Sequence, residues 1–296
     1  ARWYVDGVSD DGSQALTMIA FVGSVFSPYY AWARRKPPAE PLNHCALNVA
    51  LYGRTANRWA MTERSTAAVS RAADKLTIGP SSVSWDGQSL CYQIDEISAP
   101  LPLRIRGQVR IWPDHMNSRE FTLDSHGHHR WCPLAPRARI EVNLTQPQLS
   151  WSGHAYLDTN RGTRPLEDDF DTWDWSRTSG PGATTILYEG IRCQGEPFSL
   201  SLRADDQGEV ESFSPPVKVN LRNTRWWRIE RNTRAESGNA RIVSTLEDTP
   251  FYSRSLLELE LGGQTLPTIH ESLSMHRFRS PWVHCLLPFR MPRVKR

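Results

Sequence analysis

Apolar and polar positions alternate with a period of two along most of the chain, and β-branched and aromatic residues fill the apolar places. Residues two apart on a strand share a face, so this pattern marks half-buried strands. It predicts strands over residues 16–26, 46–52, 59–62, 90–97, 103–111, 121–123, 140–144 and 149–156. Further strands are predicted over 185–192, 198–203, 217–221, 226–230, 241–245, 255–261 and 265–273. Turn signals separate them at Asp11-Gly12, Gly79-Pro80, Asp86-Gly87, Gly180-Pro181 and Gly262-Gly263. Asp86-Gly87, between Trp85 and Leu90, reads as a hairpin turn. Helical spacing is confined to two places. Residues 66–75 allow two or three turns, and 165–173 put Leu166, Phe170 and Trp173 at i, i+4 and i+7 behind Pro165.

Many short strands with few helices predict an all-β protein. At 296 residues the chain exceeds one small barrel, so two successive β domains are expected, 1–178 and 179–296. The boundary falls in the Ser-, Gly- and Pro-containing stretch 177–182.

Composition sharpens this in one respect. The chain carries 12 Trp, 8 Tyr and 9 Phe, more broad apolar rings than two small cores need. Lys plus Arg is 35 against 32 for Asp plus Glu, and a net charge of +3 gives no polyanion-binding surface, so no nucleic-acid partner is expected. The five cysteines, Cys45, Cys91, Cys132, Cys193 and Cys285, are odd in number, widely spaced and without a C-x-x-C pair. They read as reduced thiols, mostly buried, and not as a zinc site or disulfide framework. The most apolar stretch, 15–26, contains Thr17, Gly23 and Ser24 and is shorter than the roughly 20 residues of a spanning helix. A soluble, reducing, cytoplasmic setting is expected, with membrane-surface contact left open.

Nucleotide-binding glycine loops, the G-x-S-x-G elbow and H-E-x-x-H are all absent. Cofactor-free acid–base chemistry needs no such local motif. His126, His128 and His129 are close in sequence, but strand alternation points neighbours to opposite faces, so no metal site is expected. The basic run Arg290, Arg293, Lys295 and Arg296 reads as a solvated tail that also suits anionic head groups. The acids Glu167, Asp168 and Asp169 sit where a helix N-terminus welcomes negative charge.

Two segments stand out. In Trp151-Ser-Gly-His-Ala-Tyr-Leu-Asp158, alternation puts His154, Tyr156 and Asp158 on one face. In His129-Arg-Trp131, an imidazole and an indole share a face at the same spacing. Asp158 equally suits a turn cap, Trp131 a core position and His129 a surface donor.

Longer blocks decide between these readings. Phe21-Val-Gly-Ser-Val-Phe-Ser-Pro-Tyr-Tyr-Ala-Trp-Ala-Arg-Arg35 resembles the carotenoid 1,2-hydratases, or hydroxyneurosporene synthases, of phototrophic bacteria. So do Pro41-Leu-Asn-His-Cys-Ala-Leu-Asn-Val-Ala-Leu-Tyr-Gly53, Trp59-Ala-Met-Thr-Glu-Arg64 and Ile94-Asp-Glu-Ile-Ser-Ala-Pro-Leu-Pro102. The likeness continues through Pro133-Leu-Ala-Pro-Arg-Ala-Arg139, the Trp151 segment and Pro165-Leu-Glu-Asp-Asp-Phe170. It ends in Leu246-Glu-Asp-Thr-Pro-Phe-Tyr252, His270-Glu-Ser-Leu273 and Leu287-Pro-Phe-Arg-Met-Pro-Arg293, so it spans nearly the whole chain. It departs at Cys132, where the family leads one to expect an aromatic residue.

The resemblance implies two successive lipocalin-like β-barrel domains, the first carrying the site. It implies addition of water to the terminal double bond of acyclic carotenoids such as neurosporene and lycopene, with no cofactor. The family's catalytic positions fall on His129, Trp131, Tyr156 and Asp158, with Asp158 as the acid. An alkene is a weak base, so the acid must be held protonated by desolvation, and Trp131 and Tyr156 suit a neighbouring cation. His129 suits the orienting of Asp158 or the return of the proton to it, and Trp151 and His154 are further substrate-binding candidates. An apolar bilayer substrate implies peripheral contact with the inner (intracytoplasmic) membrane, through Ser27-Pro-Tyr-Tyr-Ala-Trp32 or Ser280-Pro-Trp282. The competing readings are a glycosidase built on the acids 167–174 and a barrel that binds a polyene without converting it.

Overall fold

The structure, a computed structural model, describes residues 1–53 and 57–294. Its strands begin with β1 (Arg2–Ser9), β2 (Gln14–Phe21), β3 (Cys45–Gly53), β4 (Arg58–Arg64), β5 (Val69–Arg71) and β6 (Lys75–Ile78). They continue with β7 (Ser81–Trp85), β8 (Leu90–Ile97), β9 (Arg104–Pro113), β10 (Phe121–Thr122), β11 (His129–Gln146) and β12 (Gln148–Gly162). Next come β13 (Phe170–Gly180), β14 (Ala183–Arg192), β15 (Pro197–Asp205), β16 (Val210–Ser212) and β17 (Val217–Leu221). The last are β18 (Arg231–Ala235), β19 (Ala240–Asp248), β20 (Tyr252–Leu261), β21 (Gln264–Ser274) and β22 (Arg293–Val294). The helices are short: α1 (Pro28–Arg34), α2 (Leu166–Asp169), α3 (Met275–Phe278) and α4 (Pro281–Arg290). The expected all-β, lipocalin-like fold is thus present, built on curled half-barrel sheets.

Two compact units are formed, one from 1–121, 130–162 and 285–296, the other from 122–129 and 163–284. In the first unit one sheet runs β22-β4-β3-β2-β1-β12-β11-β9-β8-β7-β6-β5, with β10 on β11. The sheet curls until strands far apart in its order meet. Arg64 of β4 bonds Glu96 of β8 at 2.9 Å, and Ala99 N–H donates to the Trp59 carbonyl at 2.9 Å. Inside the curl lies an apolar core that includes Val5, Leu16, Met18, Val49, Ile111 and Ile140. The opposite face of β1, β2 and β12 is buried as well, and it carries Tyr4, Asp6, Thr17, Tyr156 and Asp158. Near the C-terminus, Arg290 lies over the Trp59 ring and Arg293 pairs with Glu63, whereas Lys295 and Arg296 lie outside the described residues.

The second unit has a sheet ordered β16-β15-β14-β13-β21-β20-β19 and a separate pair, β17-β18. Phe170, Trp173, Tyr188 and Phe198 pack edge to face along it, with centroids 5.7–6.4 Å apart. That geometry suits the ring quadrupoles.

Local pattern and structure part company at a few places. Residues 66–75 form one 3-10 turn, Thr66–Ala68, and then pair as β5, because the sheet edge offers Val69 a partner strand. The helical spacing over 165–173 yields only α2; Phe170 and Trp173 belong to β13, which hydrogen-bonds to strands on both sides. Residues 226–230 are a loop, since the Asp248 carboxylate accepts the N–H groups of Trp226 and Trp227 in place of a partner strand. The predicted strand over 16–26 stops at Phe21. Helix α1 follows from a signal that was present but unread: the Ser27 hydroxyl accepts the Tyr30 N–H and Pro28 starts the helix.

The pair that closes the curled sheet is buried, with Arg64 7% and Glu96 1% exposed. Desolvation raises the Glu96 carboxyl, and Arg64 and Ser81 pull it back. Removing one partner strands a buried charge. Arg64→Ala is therefore expected to cost about 3–5 kcal/mol in urea unfolding, and Arg64→Met with Glu96→Leu much less. Equal losses from the two variants would show that the cost does not come from a stranded charge.

Candidate active site

Antiparallel pairing of β1 with β12 sets the geometry. Tyr4 lies opposite Asp158 and Asp6 opposite Tyr156, so all four side chains share one sheet face. Trp131 comes from β11, the next strand in the sheet. Its indole N–H donates to Asp158 Oδ2 at 2.9 Å, and the Tyr156 hydroxyl donates to the same oxygen at 3.1 Å. Trp131, Tyr156 and Asp158 are 1%, 0% and 3% exposed, so the carboxyl sits away from water, bonded by the polar groups of two aromatic side chains. Burial disfavours its charged form and the two donors favour it. Both bonds end on Oδ2, so they are compatible with a proton on Oδ1.

The sequence reading missed the other half of this face. Tyr4-Val-Asp6 repeats the Tyr-x-Asp spacing of Tyr156-Leu-Asp158, and the two copies run antiparallel across the β1–β12 ladder. Tyr4 donates to Asp6 Oδ2 at 3.4 Å, as Tyr156 donates to Asp158, and the two tyrosine rings meet edge to face at 6.3 Å. The signal was in the sequence. It was hidden because β1 is buried on both faces, so its apolar and polar residues do not alternate.

The remaining candidates are placed as follows. His129 begins β11, where its Nε2 pairs with Asp169 at 2.7 Å, its N–H donates to Asp124 and its ring meets Phe170. His126 and His128 stack on each other, their rings 5.9 Å apart. His154 is exposed, 3.6 Å from Asp10. Trp151 packs against the apolar core, on the face opposite Tyr156 and Asp158. Cys132 is buried beside Trp131, and desolvation, with Glu120 and Asp158 adding to it, pushes its thiol up to about 11.

Two solved structures share this architecture. An AttH of Nitrosomonas europaea is 12% identical and matches with a TM-score of 0.57, over 93% of this chain and 92% of that one. Kievitone hydratase from Nectria haematococca is 8% identical with a TM-score of 0.54, over 93% and 89%. These likenesses concern the fold. Residues 18–296 match the family model of the carotenoid hydratase CrtC. The chain belongs to that family. The acyclic carotenoid 1,2-hydratase of Thiocapsa roseopersicina is 56% identical over 99% of this chain and 72% of its own length. That of Cereibacter sphaeroides is 42% identical over 93% and 98%. As a member of the carotenoid hydratase family, the protein is a hydro-lyase.

This family member holds another buried carboxyl, in its second unit. Asp174 accepts from the Ser272 hydroxyl at 2.5 Å and from the backbone and side chain of Asn232. It lines a cleft of about 320 Å³ with Glu189, Lys218 and Arg234. Burial pushes Asp174 up to about 7 despite those hydrogen bonds, and it holds the neighbouring His270 down to about 4. Between pH 3.8 and about 7 the unfolded chain releases a proton that folded Asp174 keeps, so this group lowers stability as pH rises. His270 acts the other way: below 6.5 the unfolded imidazole charges first, so its contribution falls as pH drops toward 4. Asp174→Asn removes the first slope only. In urea unfolding, the variant's stability relative to the parent should climb between pH 4 and 7 and then level; a flat difference would mean Asp174 is ionised throughout.

Proposed function

We propose that this protein hydrates the terminal C1=C2 double bond of acyclic carotenoids, lycopene and neurosporene among them, without a cofactor, with Asp158 as the acid. The observation that carries the reading is a carboxyl 3% exposed and held by Trp131 and Tyr156 on one oxygen. The substrate class is that of the 56% identical Thiocapsa roseopersicina relative.

The chemistry follows from the substrate. An isolated alkene accepts a proton only from a positioned acid shielded from water, and a desolvated carboxylic acid is of that kind. The proton from Asp158 joins C2, and the π pair leaves a tertiary cation at C1. The ring faces of Trp131 and Tyr156 stabilise such a cation by about 2 kcal/mol each when desolvated. Water adds at C1 and loses a proton, giving the 1-hydroxy carotenoid. His129 is kept in this proposal as the fourth catalytic position, with its Nε2 paired to Asp169 and its N–H donating to Asp124. Trp151 supports the same wall from the core side, and His154 is assigned to the outer approach to the site.

None of the described helices is long and apolar enough to cross a membrane. The second unit instead exposes Trp226, Trp227 and Trp282, with Trp227 stacked on Trp282 at 5.8 Å and Arg225 over Trp226. Aromatic rings beside arginine suit the bilayer interface, and this cluster is proposed as the point of peripheral contact.

Two experiments test these readings. Asp158→Asn should abolish conversion of lycopene to its 1-hydroxy product, by about 100-fold or more, while the folded variant still binds it. Trp131→Phe should lose about tenfold, since the ring face remains and one hydrogen bond goes. Near-parental turnover by Asp158→Asn would remove the acid, and equal losses would make Trp131 a substrate-positioning residue. Trp226→Ala with Trp282→Ala should reduce co-flotation with anionic vesicles several-fold; unchanged flotation would place the contact elsewhere.

A further inference from the structure

Asp6 is fully buried, and the acid chemistry of Asp158 gives it no part. It nevertheless shares the face of Asp158. The β1–β12 register sets the two carboxyl residues on a diagonal, and diagonal neighbours on one sheet face lie about 7–8 Å apart. On the other side of β1, Thr17 stands directly opposite Asp6. Its hydroxyl is buried and has no hydrogen-bond partner among the described residues. Buried hydroxyls are bonded in the great majority of cases, so Thr17 has hydrogen-bonding capacity to offer a small polar ligand. Asp6 supplies an acceptor there and Thr17 a donor and acceptor, which is what one water needs.

We propose that Asp6 and Thr17 bind the water that is added at C1, with Asp6 taking its proton. The inference rests on the reading of Asp158 as the acid. Hydration needs a donor at C2 and an acceptor beside the water at C1, and the spacing of the two carboxyls separates those tasks. Inverting glycosidases likewise keep acid and base about 6.5–9.5 Å apart so that a water fits between them. In the step, the O–H bond of Asp158 breaks and C2–H forms from the alkene π pair. A lone pair of the water forms C1–O, and one O–H bond of that water breaks as its proton passes to Asp6. The product gains H and OH. Turnover closes when Asp6 releases its proton and Asp158 takes one up.

The test separates water capture from protonation. Lycopene is incubated in D2O with the parent, Asp6→Asn, Thr17→Val, Thr17→Ser and Asp158→Asn, and both alcohol and recovered hydrocarbon are analysed for deuterium. A cation that is not captured collapses by losing a proton, and loss from a C1 methyl leaves deuterium at C2 of the hydrocarbon. Asp6→Asn should lower alcohol formation about 100-fold and the isosteric Thr17→Val about tenfold, while deuterium enters the hydrocarbon. Thr17→Ser should restore the alcohol. Asp158→Asn should yield neither alcohol nor labelled hydrocarbon; if it yields both at parental levels, the acid assignment falls. The water site is overturned if Asp6→Asn and Thr17→Val hydrate at parental rates. It is equally overturned if they lose alcohol without labelling the hydrocarbon, or if Thr17→Ser fails to restore it.

Discussion

The register of β1 against β12 is the constraint on which the rest depends. A slip of one residue would turn every side chain of β1 to the other face. Tyr4 and Asp6 would enter the apolar core, and Val5 would face Asp158. Two glycines make room for the observed pairing. A Cβ on Gly153 would lie 2.0 Å from the Val8 carbonyl oxygen, and one on Gly7 would lie 2.9 Å from the Ile140 side chain. At Gly153 the two backbones approach closely, and at Gly7 the Ile140 and Trp151 side chains fill the space a Cβ would take.

This register sorts one sheet into two chemistries. On the inner face, Val5, Leu16, Met18 and Ile140 contribute to an apolar core that gains from burial without hydrogen-bonding demands. On the other face, buried Asp6 and Asp158 are bonded by Tyr4, Trp131 and Tyr156, because a buried polar group without a partner costs about 1–3 kcal/mol. Stability and chemistry therefore share strands but not side chains. The second unit repeats the theme with Asp174, whose carboxyl burial pushes up to about 7 among Ser272 and Asn232. Its cleft combines the charges of Glu189, Lys218 and Arg234 with the apolar side chains of Ile191, Pro197 and Phe198.

How far the site was legible depended on where its residues sit. Tyr156 and Asp158 stood out because they share a face at i, i+2 spacing on β12, and Trp131 because it lies near the start of a long strand. Tyr4 and Asp6 did not, because β1 is buried on both faces and reads Tyr-Val-Asp without a polar side. His129 was visible as a residue but not in its pairing, since Asp169 lies 40 positions away on a turn that helical spacing extended too far. Local propensity lost there to the ladder that β13 makes with β14 and β21.

By itself the sequence determined the all-β class, most strand positions and the family, because period-two patterning and long blocks of residues are local properties of the chain. Ranges such as Leu90–Ile97 and Val217–Leu221 coincide with β8 and β17. It also picked out Trp131, Tyr156 and Asp158, which the fold brings into one hydrogen-bonded group. Only the tertiary structure decided what stands across from them. Strand pairing joins residues more than 150 positions apart, Tyr4 with Asp158, and no periodicity encodes that choice. It is settled by which backbones can approach and which faces must be buried. That is why Asp6 and Thr17 emerged from the register and not from the pattern.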